Sequence, residues 1–443
     1  MRRAALSRVK TAPAAFVPAL LLCAALIGSC QPEPAGDAEP GVPDHPPLSA
    51  AVTEALPDRW TRFRGPVGSG IAQFDNLPVR WDVDTGDNIL WSTPLPLSGA
   101  NSAVIWKDLL FVTGADDGSR AVYCLDAHSG EMRWTRHVAP EWTDTPRTHA
   151  MTGYAAPTCV TDGSRVYASF PSGHVIALDF DGEIAWKRWF DFSEDIYGRA
   201  TSPVLHEGLL ILQIDLGKPD IGRSHIKALD SATGRTRWRS RRPVQGSWTT
   251  PIVIDIGGRH ELVTSAKPWV IAYDPATGED YWRVRCVEGD SAPSPIYAAG
   301  QVYVANIYAE LTAIVPGGTG DVTRTRVRWS ERGELPDITS PLSDGRLIWT
   351  LSTGGMLACR DAESGELQYR HRLPGRYRSS PALVGDSLYL ISEAGKSTVI
   401  AAEPEFEKIA PGSFGERVYS SPAFAHGRMY IRGTEHIICV GEQ

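Results

Sequence analysis

The sequence lacks the short signatures that most catalytic or cofactor-bound chains carry. Its 443 residues hold no Cys-x-x-Cys-His haem site, no His-Glu-x-x-His zinc motif, no Gly-x-Ser-x-Gly nucleophile turn and no phosphate-cradling glycine loop. Methionine is scarce (5), and no apolar run is both long and uninterrupted enough to read as a membrane span. Basic residues (44) are outnumbered by acidic ones (52), giving a net charge of −8. That balance argues against a nucleic-acid partner, whose phosphates need clustered Lys and Arg. A collagen, a coiled coil and a polytopic membrane protein are excluded. Glycine (42), proline (33) and tryptophan (14) are abundant, and 42% of residues are hydrophobic, enough for a large core. Many short strands joined by tight turns suit that mixture better than helices do.

Residues 1–29 read as a secretory signal. Arg2, Arg3, Arg8 and Lys10 precede an apolar stretch from about Ala14 to Ile27, broken by Pro18. It ends in Leu26-Ile27-Gly28-Ser29-Cys30, which resembles the bacterial lipobox, with Cys30 as the lipidated residue. Gln31 follows, where Asp would favour inner-membrane retention, so the expected location is the outer membrane, facing the periplasm. Residues 30–57 are Pro-rich and acidic, a tether without the apolar surface to order itself. A lead-in segment, 58–87, precedes the repeats. Within it Asp82-Val-Asp84-Thr-Gly86-Asp87 reads as a turn rather than a calcium loop, which would need a different glycine position and a closing Glu.

From 88 to 443 one pattern recurs: Asp126 to Gly130 to Trp134, Asp179 to Gly182 to Trp186, Asp230 to Gly234 to Trp238 and Asp274 to Gly278 to Trp282. A fifth copy ends in Tyr369 instead of Trp, and a looser one ends at Trp329. A small residue stands two positions before each of five Asp: Cys124, Ala177, Ala228, Ala272 and Cys359. The spacing predicts a hairpin, with Gly supplying positive φ in the turn and an aromatic four residues on. A second pattern, Ser or Thr (Ala once) before Pro, opens an inner strand at Pro157, Pro203, Pro251, Pro295, Pro341, Pro381 and Pro422, with Ser102-Ala103 as a variant. Each unit of about 45 residues is then a four-stranded antiparallel blade. The eighth copy stops before its outer strand, and the orphan strand around Trp91 would supply it. The expected fold is all-β, an eight-bladed β-propeller closed by an N-terminal strand. A seven-blade ring with 420–443 as a packing tail is the competing count.

The intact signature at Thr233-Gly234 and Thr277-Gly278 resembles the pyrroloquinoline-quinone-type (PQQ-like) repeat. With the lipobox and tether, the chain is similar to the propeller lipoproteins of the outer-membrane β-barrel assembly machinery. The resemblance implies that Trp91, Trp134, Trp186, Trp238, Trp282, Trp329 and Tyr369 dock each blade on its neighbour. Tyr369, and the lack of an aromatic in the corresponding part of blade 7 (399–414), mark the expected weakest docking. Quinone-holding members use a vicinal cysteine pair, a stacked Trp and a calcium ion beside a catalytic Asp. No vicinal pair exists here: beyond the signal the cysteines are Cys30, Cys124, Cys159, Cys286, Cys359 and Cys439. No cofactor or metal is therefore expected, and no catalytic residue is assigned.

The loops just before each inner strand carry His149 (beside Arg147), Arg199, Trp248, Asp290, Asp337, Arg378 and Arg417. Ring geometry would gather them at one mouth of the central channel, a funnel for a ligand. Arg199, Arg378 and Arg417 with Trp248 would seat an anionic or extended peptide. The expected function is non-catalytic binding or scaffolding by a monomer, with a protein or peptide partner in the cell envelope and the membrane as anchor. The alternatives are a quinone- or metal-dependent oxidoreductase and a sensor or carbohydrate-binding module.

Overall fold

A computed structural model describes residues 56–442, apart from 73, 139–147, 151, 193–194, 196 and 219–221. Cys30 and Arg147 lie outside the described residues. The recurring turns and starts deliver eight antiparallel sheets. Blade 1 is built from Val104–Trp106, Leu109–Ala115, Arg120–Asp126 and Met132–His137. Blades 2 to 7 open on inner strands at Val160, Val204, Ile252, Ile296, Leu342 and Ala382. Blade 8 takes Ala423–Ala425, Arg428–Arg432 and His436–Val440 from the C-terminus. Its outer strand is Ile89–Pro94, antiparallel, with Trp91 opposite Cys439. The ring therefore closes as an eight-bladed propeller through its N-terminal strand, and the seven-blade count is set aside. Among the described residues the one helix is Thr323–Arg326.

The two middle strands of each blade are covered on both faces and read as near-continuous apolar runs, such as Leu209–Ile214, buried throughout. Outer strands alternate, as in Met132–His137, because only one face meets a neighbour. The cross-strand register explains the repeat's small residue. Cys124 lies opposite Trp134, Ala177 opposite Trp186, Ala228 opposite Trp238, Ala272 opposite Trp282 and Cys359 opposite Tyr369. A large ring on one strand leaves room only for a small partner. Cys124, Cys159, Cys286, Cys359 and Cys439 are free thiols, each alone among its neighbours, and burial pushes all five up to about 12.

The turn glycines all have positive φ, and each supports the aromatic of the preceding blade. A Cβ on Gly182 would lie 2.8 Å from the Trp134 ring; on Gly234, 2.6 Å from Trp186; on Gly278, 2.4 Å from Trp238. The indole N–H groups reach into the same next-blade turns. Trp134 donates to Phe180 O (2.8 Å), Trp186 to Ser231 O (2.8 Å), Trp238 to Pro275 O (3.2 Å) and Trp329 to Ala362 O (3.2 Å). Trp282 differs. It is fully buried and donates to Glu261 within its own blade (2.8 Å), while Gly320–Asp321 runs parallel along its strand. Tyr369 packs edge-on against Phe406 and receives the Trp349 indole N–H (3.2 Å).

Blade 7 corrects one expectation. Its outer strand carries Ala410 where the aromatic would stand, opposite Val399, so large and small have exchanged strands. The missing ring arrives from outside the repeats: Trp81, 2% exposed, stacks on Tyr389 (6.0 Å) and meets Phe414 (5.4 Å). A Cβ on Gly412 would lie 2.6 Å from it. The seam expected to be weakest is filled by the lead-in segment. The acidic run at 82–87 is a turn, with Asp84 N–H on Asp82 Oδ1 (2.8 Å) and Asp82 bridged to Asp87.

Candidate functional site: the mouth of the central channel

Each inner strand begins with a hydroxyl, and these hydroxyls link the blades around the channel. The backbone N–H of Ser102 donates to Thr158 Oγ1, Thr158 to Ser202, Ser202 to Thr250, Thr250 to Ser294, Ser294 to Ser340, Ser340 to Ser380, and Ser380 to Ser421, all at 2.9–3.0 Å. The Ser/Thr-Pro recurrence contained this chain of bonds, although spacing alone reads it only as a strand start. In blade 2 the structure uses Thr158-Cys159, two residues beyond the Ala156-Pro157 pair that the pattern picks out. The chain of bonds stops at the closing seam, where Ser102 Oγ is buried without a partner. There Arg432, 1% exposed, spans from blade 8 to the Leu97 (2.7 Å) and Thr113 carbonyls of blade 1.

The lead-in segment crosses the channel beneath this ring. Its backbone meets blade 8 (His426 N–H to Pro57 O, 2.6 Å), blade 2 (Thr161 N–H to Thr61 O, 3.0 Å) and blade 7 (Leu383 N–H to Gly70 O, 3.0 Å). Arg62, fully buried, donates to Pro251 O of blade 4 (2.6 Å), and burial lowers its pKa to about 10. Phe63 thereby forms part of the wall of a cavity of about 350 Å³ whose remaining lining comes from loops at the mouth. Thr158, Ser202, Thr250, Ser294, Ser340, Ser380 and Ser421 line it.

Of the expected funnel residues, Trp248, Asp290, Asp337 and Arg378 line this cavity; Arg199, Arg417 and His149 do not. Trp248 is fixed by its N–H to Asp195 (2.9 Å) and by Tyr197 edge-on at 4.9 Å. Burial raises the pKa of Asp195 to about 6. Asp290 accepts from Gln245 (3.1 Å), and Asp337 from the Thr353 N–H (3.1 Å). No Lys or Arg pairs with either carboxylate among the described residues. Arg378 is bound by Glu393 (2.7 Å) and lies over Tyr419 (4.9 Å). Arg199 turns inward over Phe192 (4.6 Å), 3% exposed, and burial lowers its pKa to about 10. Arg417 is exposed, and so is His149, beside Tyr197 (5.5 Å). The three guanidiniums do not converge, so the seat for an anion is not formed. Position in the chain predicted the mouth; side-chain direction in aperiodic loops followed local partners instead. Tyr197, in the same pre-strand loop as Arg199, also lines the cavity; sequence reasoning missed Phe63 and the Ile307-Tyr308 turn, where Tyr308 is 65% exposed at the rim.

A family model described as outer membrane protein assembly factor BamB matches residues 77–213 and 222–339, more than half of the chain. The chain belongs to this family. Among curated proteins it is similar to outer membrane protein assembly factor BamB of Alkalilimnicola ehrlichii, 26% identical over 213 residues. That match covers 46% of this chain and 50% of the relative. It is also similar to quinohemoprotein alcohol dehydrogenase ADH-IIG of Pseudomonas putida, 28% identical over 175 residues, 36% of this chain and 24% of the relative. The matched parts thus span half of one curated relative and about a quarter of the other. Among solved structures, BamB from Moraxella catarrhalis shares the fold with a TM-score of 0.58 at 15% identity, over 80% of this chain and 99% of that one. Quinohemoprotein alcohol dehydrogenase from Comamonas testosteroni does so with a TM-score of 0.66 at 14% identity, over 89% and 84%.

The second likeness raises the question of pyrroloquinoline quinone, a flat tricarboxylate. Its carboxylates need cationic or donor-rich walls. Here Asp290 and Asp337 face the cavity, and the lining guanidinium of Arg378 is already neutralised by Glu393. Trp248 is held by Asp195 and Tyr197, and the described cysteines stand on separate blades. The residues present at the mouth do not fit the quinone.

Proposed function

We propose that this family member is a lipid-anchored, periplasm-facing binding module without catalytic activity, taking a segment of an envelope protein at the channel mouth. The observation that carries the reading is the character of the cavity. Two carboxylates that no described Lys or Arg pairs with, a ring of Ser and Thr residues and an exposed Tyr308 suit a segment bearing Lys or Arg beside an apolar side chain. This reverses the sign of the ligand expected from the sequence. The names of the assembly-factor relatives support an envelope protein as partner. Cys30 would carry the acyl anchor, and the aromatic series with its glycine supports would dock the blades as a rigid frame for the mouth.

The test is a photo-cross-linking residue in place of Tyr308, activated in intact envelopes, with Trp189 on an outer strand as the comparison site. Adducts at 308 that are absent at 189 and fade in an Asp290→Asn, Asp337→Asn variant are expected. Adducts equal at both sites, or indifferent to the two Asp, contradict the proposal. Cys30→Ala should move the protein from membranes to the soluble fraction, and continued membrane association would remove the anchor from the account. A second reading, a quinone-dependent oxidoreductase, is favoured by the likeness to the alcohol dehydrogenases. An absorption spectrum after adding quinone and Ca²⁺ separates the two, because a stoichiometric quinone band belongs only to the second.

A further inference from the structure

We infer that His206, Glu207 and His260 form a divalent transition-metal site of the zinc type, joining blade 3 to blade 4 on the face opposite the mouth. His206 ends the inner strand Val204–His206, and Glu207 opens the turn into Leu209–Ile214. His260 stands near the start of Arg259–Ala266 in the next blade. One nitrogen of each imidazole and a carboxylate oxygen all lie within 4.8 Å of one another. Glu207 faces both rings, Oε2 at 3.8 Å from His206 Nε2 and Oε1 at 3.5 Å from His260 Nδ1.

Those separations are too long for hydrogen bonds. They are close to the spacing of ligands around an ion: two donors each about 2.0–2.1 Å from a tetrahedral zinc stand about 3.3–3.4 Å apart. Two imidazoles and a carboxylate, with a fourth position left for water, are a donor set that zinc accepts. His206 is the buried member of the three, 6% exposed.

Two look-alike clusters differ in that their facing atoms already hold hydrogen bonds. Between blades 8 and 1, the His128 and His426 rings approach to 4.6 Å beside Asp108. There His128 Nε2 already bonds Asp108 (3.0 Å), and His426 Nε2 the Lys107 carbonyl (2.9 Å). In the Glu416, Glu435, His436 group, Glu416 already accepts from His436 Nδ1 (3.1 Å) and the His436 N–H (3.0 Å). At His206, Glu207 and His260 the facing atoms have no such bonds to one another.

The experiment uses the untagged protein, stripped with chelator and titrated with Zn²⁺, with bound metal counted after dialysis. One Zn²⁺ per chain is expected. His260→Gln, at a partly exposed position, should weaken binding by at least about 100-fold, since even outer-shell changes cost 10–100-fold. Glu207→Gln should also weaken it, whereas His128→Gln should leave it unchanged. Zn²⁺ should raise the melting temperature of the native protein and not that of His260→Gln. Failure of the native protein to retain one Zn²⁺, or equal retention by His260→Gln and Glu207→Gln, overturns the assignment.

Discussion

The seams of blades 3–4 and 7–8 do the same work with different parts of the chain. At the first, the repeat is complete: Trp238 rests on Gly278, its N–H reaches Pro275 O, and Ser240 bonds the Gly278 carbonyl. At the second, the outer strand of blade 7 offers Ala410, and Trp81 from the lead-in segment supplies the ring. Its neighbour Asp82 pairs in parallel with Ser413, much as Gly320 pairs with Trp282 beside the other irregular seam. At both irregular seams a short strand-like piece lies parallel along the outer strand, from the lead-in segment at one and from the connection before the outer strand of blade 5 at the other. Docking follows aromatic volume at one place in the seam rather than the signature that usually provides it.

Deleting 88–96 should break this comparison most severely. It strips blade 8 of its outer strand and exposes two edges, so cooperative unfolding should be lost in a thermal melt. Next in size is Trp282→Ala, about 3–5 kcal/mol by denaturant titration, because that ring is fully buried and its loss also strands buried Glu261. Trp238 is partly exposed, so Trp238→Ala should cost less, roughly half as much. Gly278→Ala should cost about 1–3 kcal/mol, since φ is +77° and the added carbon would sit 2.4 Å from Trp238. Gly208→Ala, where nothing stands within 4 Å, meets only the backbone strain and should cost less.

The smallest effect is a pH dependence at the mouth. Asp195 has its pKa raised to about 6, so the folded state holds its proton more tightly than the unfolded chain does. Its contribution is complete below about pH 4 and is lost as pH rises through 6. Asp195→Asn keeps an acceptor for the Trp248 N–H without the buried charge. The variant should gain on the order of 1–2 kcal/mol relative to the native protein between pH 4 and 7. His225, lowered by burial to about 4, loses its contribution as pH falls, so only the difference between the two proteins isolates Asp195.

Blade number, closing strand and hairpin turns were legible because each rests on spacing inside one copy of the repeat. The turn glycine that supports Trp134, Trp186, Trp238 and Trp329 was visible only as half of its role. The ring it supports belongs to the preceding copy, a relation no single copy displays. Trp81 carries no repeat spacing, and its place follows from a vacancy left by Ala410 nearly 330 residues later in the chain. The hydroxyl chain was present as a recurrence, yet Pro157 displaced the register by two residues in blade 2. The mouth was found by chain position, whereas Arg199, Arg378 and Arg417 each took a separate environment that periodicity cannot encode.

Amide hydrogen exchange on Trp81→Ala in the full chain tests the claim that the lead-in segment completes the ring. The account predicts faster exchange in Ser387–Ile391 and Lys408–Ser413 of blade 7, with protection kept in Thr236–Arg241 of blade 3. Unchanged exchange in both blade 7 strands would contradict it.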